Sequence, residues 1–238
     1  MNTNEFTNYC IDNLNLNEQD QYEQYFSSVS ICAFDAIYSI NSNYKAVQNA
    51  LHKFCEHFNL TLQHPKIGEI PPKDKQYSNS VILDKIKNID PKKLASDIFE
   101  NKQRTSSTNG ILKAEAGIQF LKILNNFNIE FYQDIPKLID NTAFESEIRN
   151  IRGQGSGISL KYFFMLTGSK DLIKPDRMVI SFINDAIGKT LSPENALILV
   201  KETVKELNKK GYPNLSPRHL DNLMWNFQRI KNKGGSKI

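Results

Sequence analysis

The stretch Glu147-Ile148-Arg149-Asn150-Ile151-Arg152-Gly153-Gln154-Gly155-Ser156-Gly157-Ile158-Ser159-Leu160 decides how the rest of the chain is read. It reads as a helix, a tight Gly-x-Gly hairpin and a second helix. Glycine lets the backbone turn where a side chain would clash, and it leaves amide N–H groups uncovered. Uncovered amides at a helix N-terminus can hold an anion such as a DNA phosphate. Gly153, Gly155 and Gly157 supply three positions without a Cβ, and Arg149 and Arg152 add charge that suits a phosphate. The following helix carries Ile158, Leu160, Tyr162, Phe163, Phe164 and Leu166 and stops at Thr167-Gly168. Apolar on most sides, it is expected to be central and buried, which would mount the hairpin rigidly. Lys174-Pro175-Asp176 then places an acid at the start of a third helix.

Outward from this segment, nearly everything has helical period. Ile37, Ile40, Tyr44, Val47, Leu51, Phe54 and Phe58 recur three or four apart, and Asn41-Ser42-Asn43 splits that run into two helices. From His64 to Ser78 the chain holds Pro65, Gly68, Pro71 and Pro72 among charged residues, which predicts a loop. That loop divides an N-terminal part, 1–78, from a remainder, 79–238. Asp90-Pro91, Ser192-Pro193-Glu194 and Ser216-Pro217-Arg218 are cap-then-proline helix starts, the first running to about Phe99. Asn101 to Gly110 is polar and turn-like. Ile111 to Phe127 returns to helix, and a short helix near Ile135 to Ile139 leads into the hairpin. In the helix from Pro193, Leu197, Val200, Val204 and Leu207 face inward, ending at Lys209-Lys210-Gly211. No alternating strand run is evident, and Lys231 to Ile238 reads as a frayed basic tail. The expected fold class is all-α with two lobes.

The chain has 238 residues, a formal net charge of +4 and 39% hydrophobic residues, enough to fill a core. The slight basic excess is compatible with nucleic acid without demanding it. Cys10, Cys32 and Cys55 are few and odd in number, which argues for a reducing compartment and against a disulfide framework or a zinc ribbon. Three thiols in one chain cannot supply the four ligands of an iron–sulfur cluster. Met1 to Asn17 is polar and unlike a signal peptide. No apolar run approaches the ~20 residues of a membrane helix. The expected location is the cytoplasm. His52, His57, His64 and His219 are scattered without ligand spacing, so neither a metal nor a cofactor is assigned. Trp225, Leu220, Leu223 and Phe227 read as core of the last helix, and Tyr22, Tyr25, Phe26, Phe34 and Tyr38 as an aromatic-rich N-terminal part.

Ile151-Arg152-Gly153-Gln154-Gly155, the helix behind it and Asp176 together resemble the helix-hairpin-helix DNA glycosylases. That superfamily carries roughly Leu-Pro-Gly-x-Gly, a buried helix, then an aspartate opening the next helix. Arg152 stands where proline is common, and the connection to Asp176 holds one extra residue. Asn101-Lys102-Gln103-Arg104-Thr105-Ser106 is similar to the Gln-rich turn with which these enzymes fill the gap left by an extruded base. The resemblance covers about residues 90 to 190. It implies that Asp176 is catalytic. It also implies that Arg152, Gly153, Gln154, Gly155, Ser156 and Gly157, with Gln103 and Arg104, contact double-stranded DNA containing a modified or damaged base. Members that also cut the strand place a lysine where this chain has Gly157, and glycine cannot form a Schiff base. The resemblance therefore implies a monofunctional DNA glycosylase without an iron–sulfur module, acting in repair or in anti-phage defence. The alternative is the same fold kept as a non-catalytic DNA-binding protein.

The chemistry explains those residue types. Breaking an N-glycosidic bond builds positive charge on the deoxyribose, which a fixed carboxylate stabilises while it orients or deprotonates water. The target base must first leave the stack, and an aromatic wall or Asp35 could then meet it. Taken singly, the same residues are ordinary. An acid at a helix start is favoured by the dipole at ~0.3–1 kcal/mol. Gln103 and Arg104 alone read as a solvated loop, and Lys170 and Lys174 as surface lysines.

Overall fold

The computed structural model describes residues 3–18 and 24–234. In chain order it contains α1 (Thr3–Asn13), β1 (Gln24–Phe26), α2 (Val29–Tyr38), α3 (Tyr44–His57), β2 (Gln63–Ile67), α4 (Asn79–Ile86) and α5 (Pro91–Lys93). Then follow α6 (Lys113–Asn126), α7 (Thr142–Asn150), α8 (Ile158–Leu166), α9 (Arg177–Ile187), α10 (Pro193–Lys209) and α11 (Pro217–Gly234). The fold is all-α, as the periodicity predicts, with one two-stranded ribbon added. Tyr22 and the tail residues 235–238 lie outside the described residues.

Two compact units divide the chain, one taking residues up to Tyr22 and from Gly168, the other Glu23–Thr167. The expected division at 78/79 has no counterpart here. It would cut through the packing of α2 against α6 and α8, which holds the second unit together.

In the unit 23–167, every residue of α2 is buried. Ser28 caps it by accepting the Ser30 N–H at 3.1 Å. Asn41, in the left-handed region at φ 48°, ends the connection from α2, and the Asn43 side chain caps α3. The rings of Phe34, Phe54 and Phe99 meet with centroids 4.8–5.0 Å apart. Burying each such ring contributes about 1.5–3 kcal/mol. Gly117 of α6 makes room for this cluster, since a Cβ there would lie 2.4 Å from Phe34 Cε1. Asp90 accepts the Lys92 N–H at 2.8 Å, and α5 runs on as a π-helical turn, Leu94–Ile98, to Phe99.

The ribbon corrects the expectation of a plain loop from His64. β1 and β2 pair antiparallel, Gln24 opposite Ile67 and Phe26 opposite Gln63. Three residues are too short to show alternation, and Pro65 masks β2. A two-stranded ribbon leaves each strand one open edge, where proline's missing N–H costs nothing.

In the other unit, α1, α9, α10 and α11 enclose one apolar core. The Phe182 ring meets Tyr9 and Phe227 edge-on at 5.3 and 5.4 Å. Gly188, at φ 64°, stops α9 by donating to the Asn184 carbonyl at 2.8 Å. On α10, Leu199 rather than Leu197 is fully buried beside Val200, Val204 and Leu207. Trp225 packs only partly on the core, with Arg229 over its ring at 4.9 Å. The expected tail from Lys231 is corrected as far as 234. α11 continues, and Lys231 pairs with Asp185 of α9 at 2.8 Å. No helix among the described residues is long and apolar enough to cross a membrane.

Candidate functional site

The hairpin joins α7 to α8 by two successive turns. Gln154 N–H donates to the Ile151 carbonyl and Gly157 N–H to the Gln154 carbonyl, both at 2.9 Å. Gly153 and Gly157 take positive φ, +89° and +69°, conformations that a side chain would strain. Gly155 has open space around it. Among the described residues, the amides of Gly153, Gly155 and Ser156 reach no protein acceptor, so three donors stay exposed to an anion. α8 packs against α2, so the turn is mounted on the core.

Some side chains expected at the surface do other work. Gln154 is 1% exposed, and its Oε1 accepts the Ser159 hydroxyl. Turn chemistry does not tell which way a side chain faces, and this one is turned into the protein. Arg149 is not a loose phosphate ligand. Its guanidinium donates to the Gly155 carbonyl at 2.8 Å and pairs with Glu145 at 2.7 Å, bracing the turn from behind. Arg152 is exposed and flanks the donors.

The loop carrying Gln103 and Arg104 is stapled to this hairpin. Thr105 Oγ1 donates to the Arg152 carbonyl at 2.7 Å and accepts the Ile111 N–H at 3.2 Å. A Cβ on Gly153 would sit 2.5 Å from Thr105 Cβ, so that glycine is also required for close approach. Arg104 Nε closes the loop on the Gly110 carbonyl at 2.8 Å. A Cβ on Gly110 would collide with Ser106 N at 2.2 Å, which makes glycine the only residue that fits.

Sequence reasoning missed Lys113, which anchors the loop. It is 1% exposed. Its ammonium reaches the carbonyls of Tyr38 and Ile40 at the C-terminal end of α2, at 2.9 and 2.5 Å. It also reaches Gln103 Oε1 at 2.9 Å and Ser42 Oγ at 2.7 Å. A cation is favoured at that end of a helix. The exposed Gln103 side chain is thereby held by its oxygen. The only signal in the sequence is a lysine on the first turn of an otherwise apolar-striped helix.

In the other unit Asp176 is the N-cap of α9. Its Oδ1 accepts the N–H groups of Met178 and Val179 at 2.8 and 3.3 Å. Oδ2 takes no hydrogen bond among the described residues. Lys170 and Lys174 lie on the connection before it. Beside Asp176 stands a group the sequence did not reveal, Asp221 on α11, 2% exposed. Its Oδ1 accepts the Lys174 N–H at 2.9 Å. Burial first, and then the negative charge of Asp176, push its carboxyl well above the usual carboxylate range. The signal available was an acid between Leu220 and Met224 on the apolar side of α11, where charged residues are rarely buried.

The model of a family described as a domain of unknown function (DUF8548) matches residues 4–229. The chain belongs to that family. No curated protein and no solved structure matches it. The matched region of the DUF8548 chain includes the hairpin, the Gln103 loop, Asp176 and Asp221. Among its described residues, no group of three or more His, Cys, Asp or Glu is placed to hold a metal ion.

Proposed function

We propose that this DUF8548 protein is a monofunctional DNA glycosylase of the helix-hairpin-helix type. The free amides of Gly153, Gly155 and Ser156, with exposed Arg152, hold the sugar-phosphate backbone. Such contacts position a duplex without reading its sequence. The Gln103–Arg104 loop fills the stack where a base has been extruded. Asp176, fixed by the α9 amides through one oxygen, stabilises the oxocarbenium-like sugar with the other and orients the attacking water. Gly157 offers no amine, so the reaction ends at an abasic site.

The Thr105–Arg152 hydrogen bond carries this reading. Two segments that the resemblance assigns to DNA lie far apart in sequence, and this bond makes them one surface. The test is incubation of the full chain with duplexes bearing damaged and hypermodified bases. Alkali-labile sites should form, and Asp176→Asn should abolish them while DNA affinity stays near wild type. Affinity without any base release across the panel would favour the non-catalytic binder, whose carriers would be the same hairpin and loop.

A further inference from the structure

We infer that Asp221 is the positioning residue for Asp176, fixing the turn from Lys174 to Asp176 through a hydrogen bond. The inference rests on Asp176 being the working carboxylate.

Geometry makes the first half of the case. α11 grips the segment ahead of α9 at two points. Arg218 N–H donates to the Lys170 carbonyl at 3.1 Å, and Asp221 Oδ1 accepts the Lys174 N–H at 2.9 Å. Asp176 N–H returns to the Lys174 carbonyl at 2.6 Å. Asp176 Oδ1 then takes the amides of Met178 and Val179. These bonds form an unbroken path from the buried face of α11 to the first turn of α9. Pro175, between the two anchor residues, fixes its own φ and brings no competing N–H. The α11 end of the path is itself held, because His219 N–H donates to Ser216 Oγ at 3.1 Å.

Electrostatics makes the second half. Asp176 and Lys174 are the charged groups that act on Asp221 from the connection and the α9 cap. On α11 it is flanked by Arg218 and His219, and Asp185 of α9 is committed to Lys231 and Gln228. Two carboxylates cannot both ionise cheaply in a buried setting, so the proton stays on the more buried one. With Asp221 neutral, Asp176 brings the one charge that the developing sugar cation needs. If Asp221 ionises, a second negative charge appears beside Asp176 and opposes the approach of a polyanionic strand.

Two substitutions separate these roles. Asp221→Asn keeps a neutral oxygen for the Lys174 N–H but has no proton to lose. Asp221→Leu removes the acceptor. In full chain labelled at aspartate carboxyl carbons and backbone nitrogen, Asp221 should titrate above the other aspartates, and Asp176→Asn should move that titration down. The Lys174 amide resonance should persist in Asp221→Asn and shift in Asp221→Leu. In base release, Asp221→Asn should keep far more turnover than Asp221→Leu, and its rate should lack the decline that wild type shows as Asp221 ionises. Asp221→Leu should lose about tenfold or more in turnover with DNA affinity unchanged, as expected when a reacting group is misplaced.

Titration of Asp221 together with exposed aspartates, indifference of that titration to Asp176→Asn, or a fully active Asp221→Leu would overturn the inference. Coupled titration in a wild-type chain that releases no base would sink the glycosylase reading and leave the coupling of the two carboxyls established.

Discussion

Thr105 donates to the Arg152 carbonyl at 2.7 Å, and a side chain on Gly153 would collide with that same threonine. One residue thus locks the loop of Gln103 onto the hairpin and sets the space that the hairpin glycine must leave empty. Thr105→Val keeps the shape and deletes the hydroxyl. It leaves the Arg152 carbonyl and the Ile111 N–H without their partner in a nearly buried place, at a cost of about 1–3 kcal/mol. Urea unfolding should register that loss. DNA binding should weaken to the same extent for every sequence, because the contacts concerned are to the backbone. A variant as stable and as tightly bound as wild type would show that loop and hairpin act separately.

Gly155 and Gly157 of the hairpin should respond differently. Gly155→Ala meets open space at a negative φ and should leave stability and DNA affinity near wild type. Gly157→Lys introduces the lysine that strand-cutting helix-hairpin-helix glycosylases carry, yet it should fail to trap a borohydride-reducible Schiff base. A side chain at 157 must adopt left-handed backbone, costing about 1–2 kcal/mol. It must also displace the Arg149 guanidinium, which would lie 2.7 Å from its Cβ. Covalent trapping of this variant on a damaged duplex would contradict the argument.

Much of this architecture is local and was therefore legible. Asp90-Pro91, Ser192-Pro193 and Ser216-Pro217 mark helix starts because a cap and a proline act within one turn. Asn43 and Gly188 mark a start and a stop for the same reason. The residues that organise the site were not legible, because their partners are distant. Thr105 meets Arg152, Lys113 meets Tyr38, and Asp221 meets Lys174 only after folding. The burial of Gln154 was hidden because periodicity does not extend into a turn, and β2 because Pro65 sits in a strand with a free edge.

Asp221 and Asp185 should pull the pH dependence of stability in opposite directions. The Asp221 carboxyl lies above its unfolded value, so from about pH 4 upward the unfolded chain has released a proton that the folded chain retains. Its contribution is full below the unfolded value and declines as pH rises toward the folded one. Asp185 is held low, chiefly by the Lys231 hydrogen bond, so its contribution is present above the unfolded value and lost in acid. Asp221→Asn should therefore melt higher than wild type by a margin that widens as pH rises above the unfolded value. A constant margin would mean that Asp221 ionises normally. Lys231→Met should show its deficit at neutral pH and converge with wild type in acid.

Lys113 offers a test of the loop that leaves the hairpin and Asp176 untouched. Its ammonium, almost without solvent, is the shared donor for the Tyr38 and Ile40 carbonyls, the Ser42 hydroxyl and Gln103 Oε1. Lys113→Met preserves length and apolar stem but strips the donors. The unpaired carbonyls should cost about 3 kcal/mol in unfolding free energy. Gln103, freed from its anchor, should also lose the fixed position that a gap-filling residue needs. Steady-state analysis distinguishes the two consequences. A folded Lys113→Met chain assayed well below its melting temperature should bind undamaged duplex as wild type does, since the hairpin amides are unchanged. Its base release should fall toward that of Gln103→Ala, and the double variant should be no worse than either single one. Additive losses in the double variant would mean that Lys113 supports the fold alone, and that the position of Gln103 owes nothing to it.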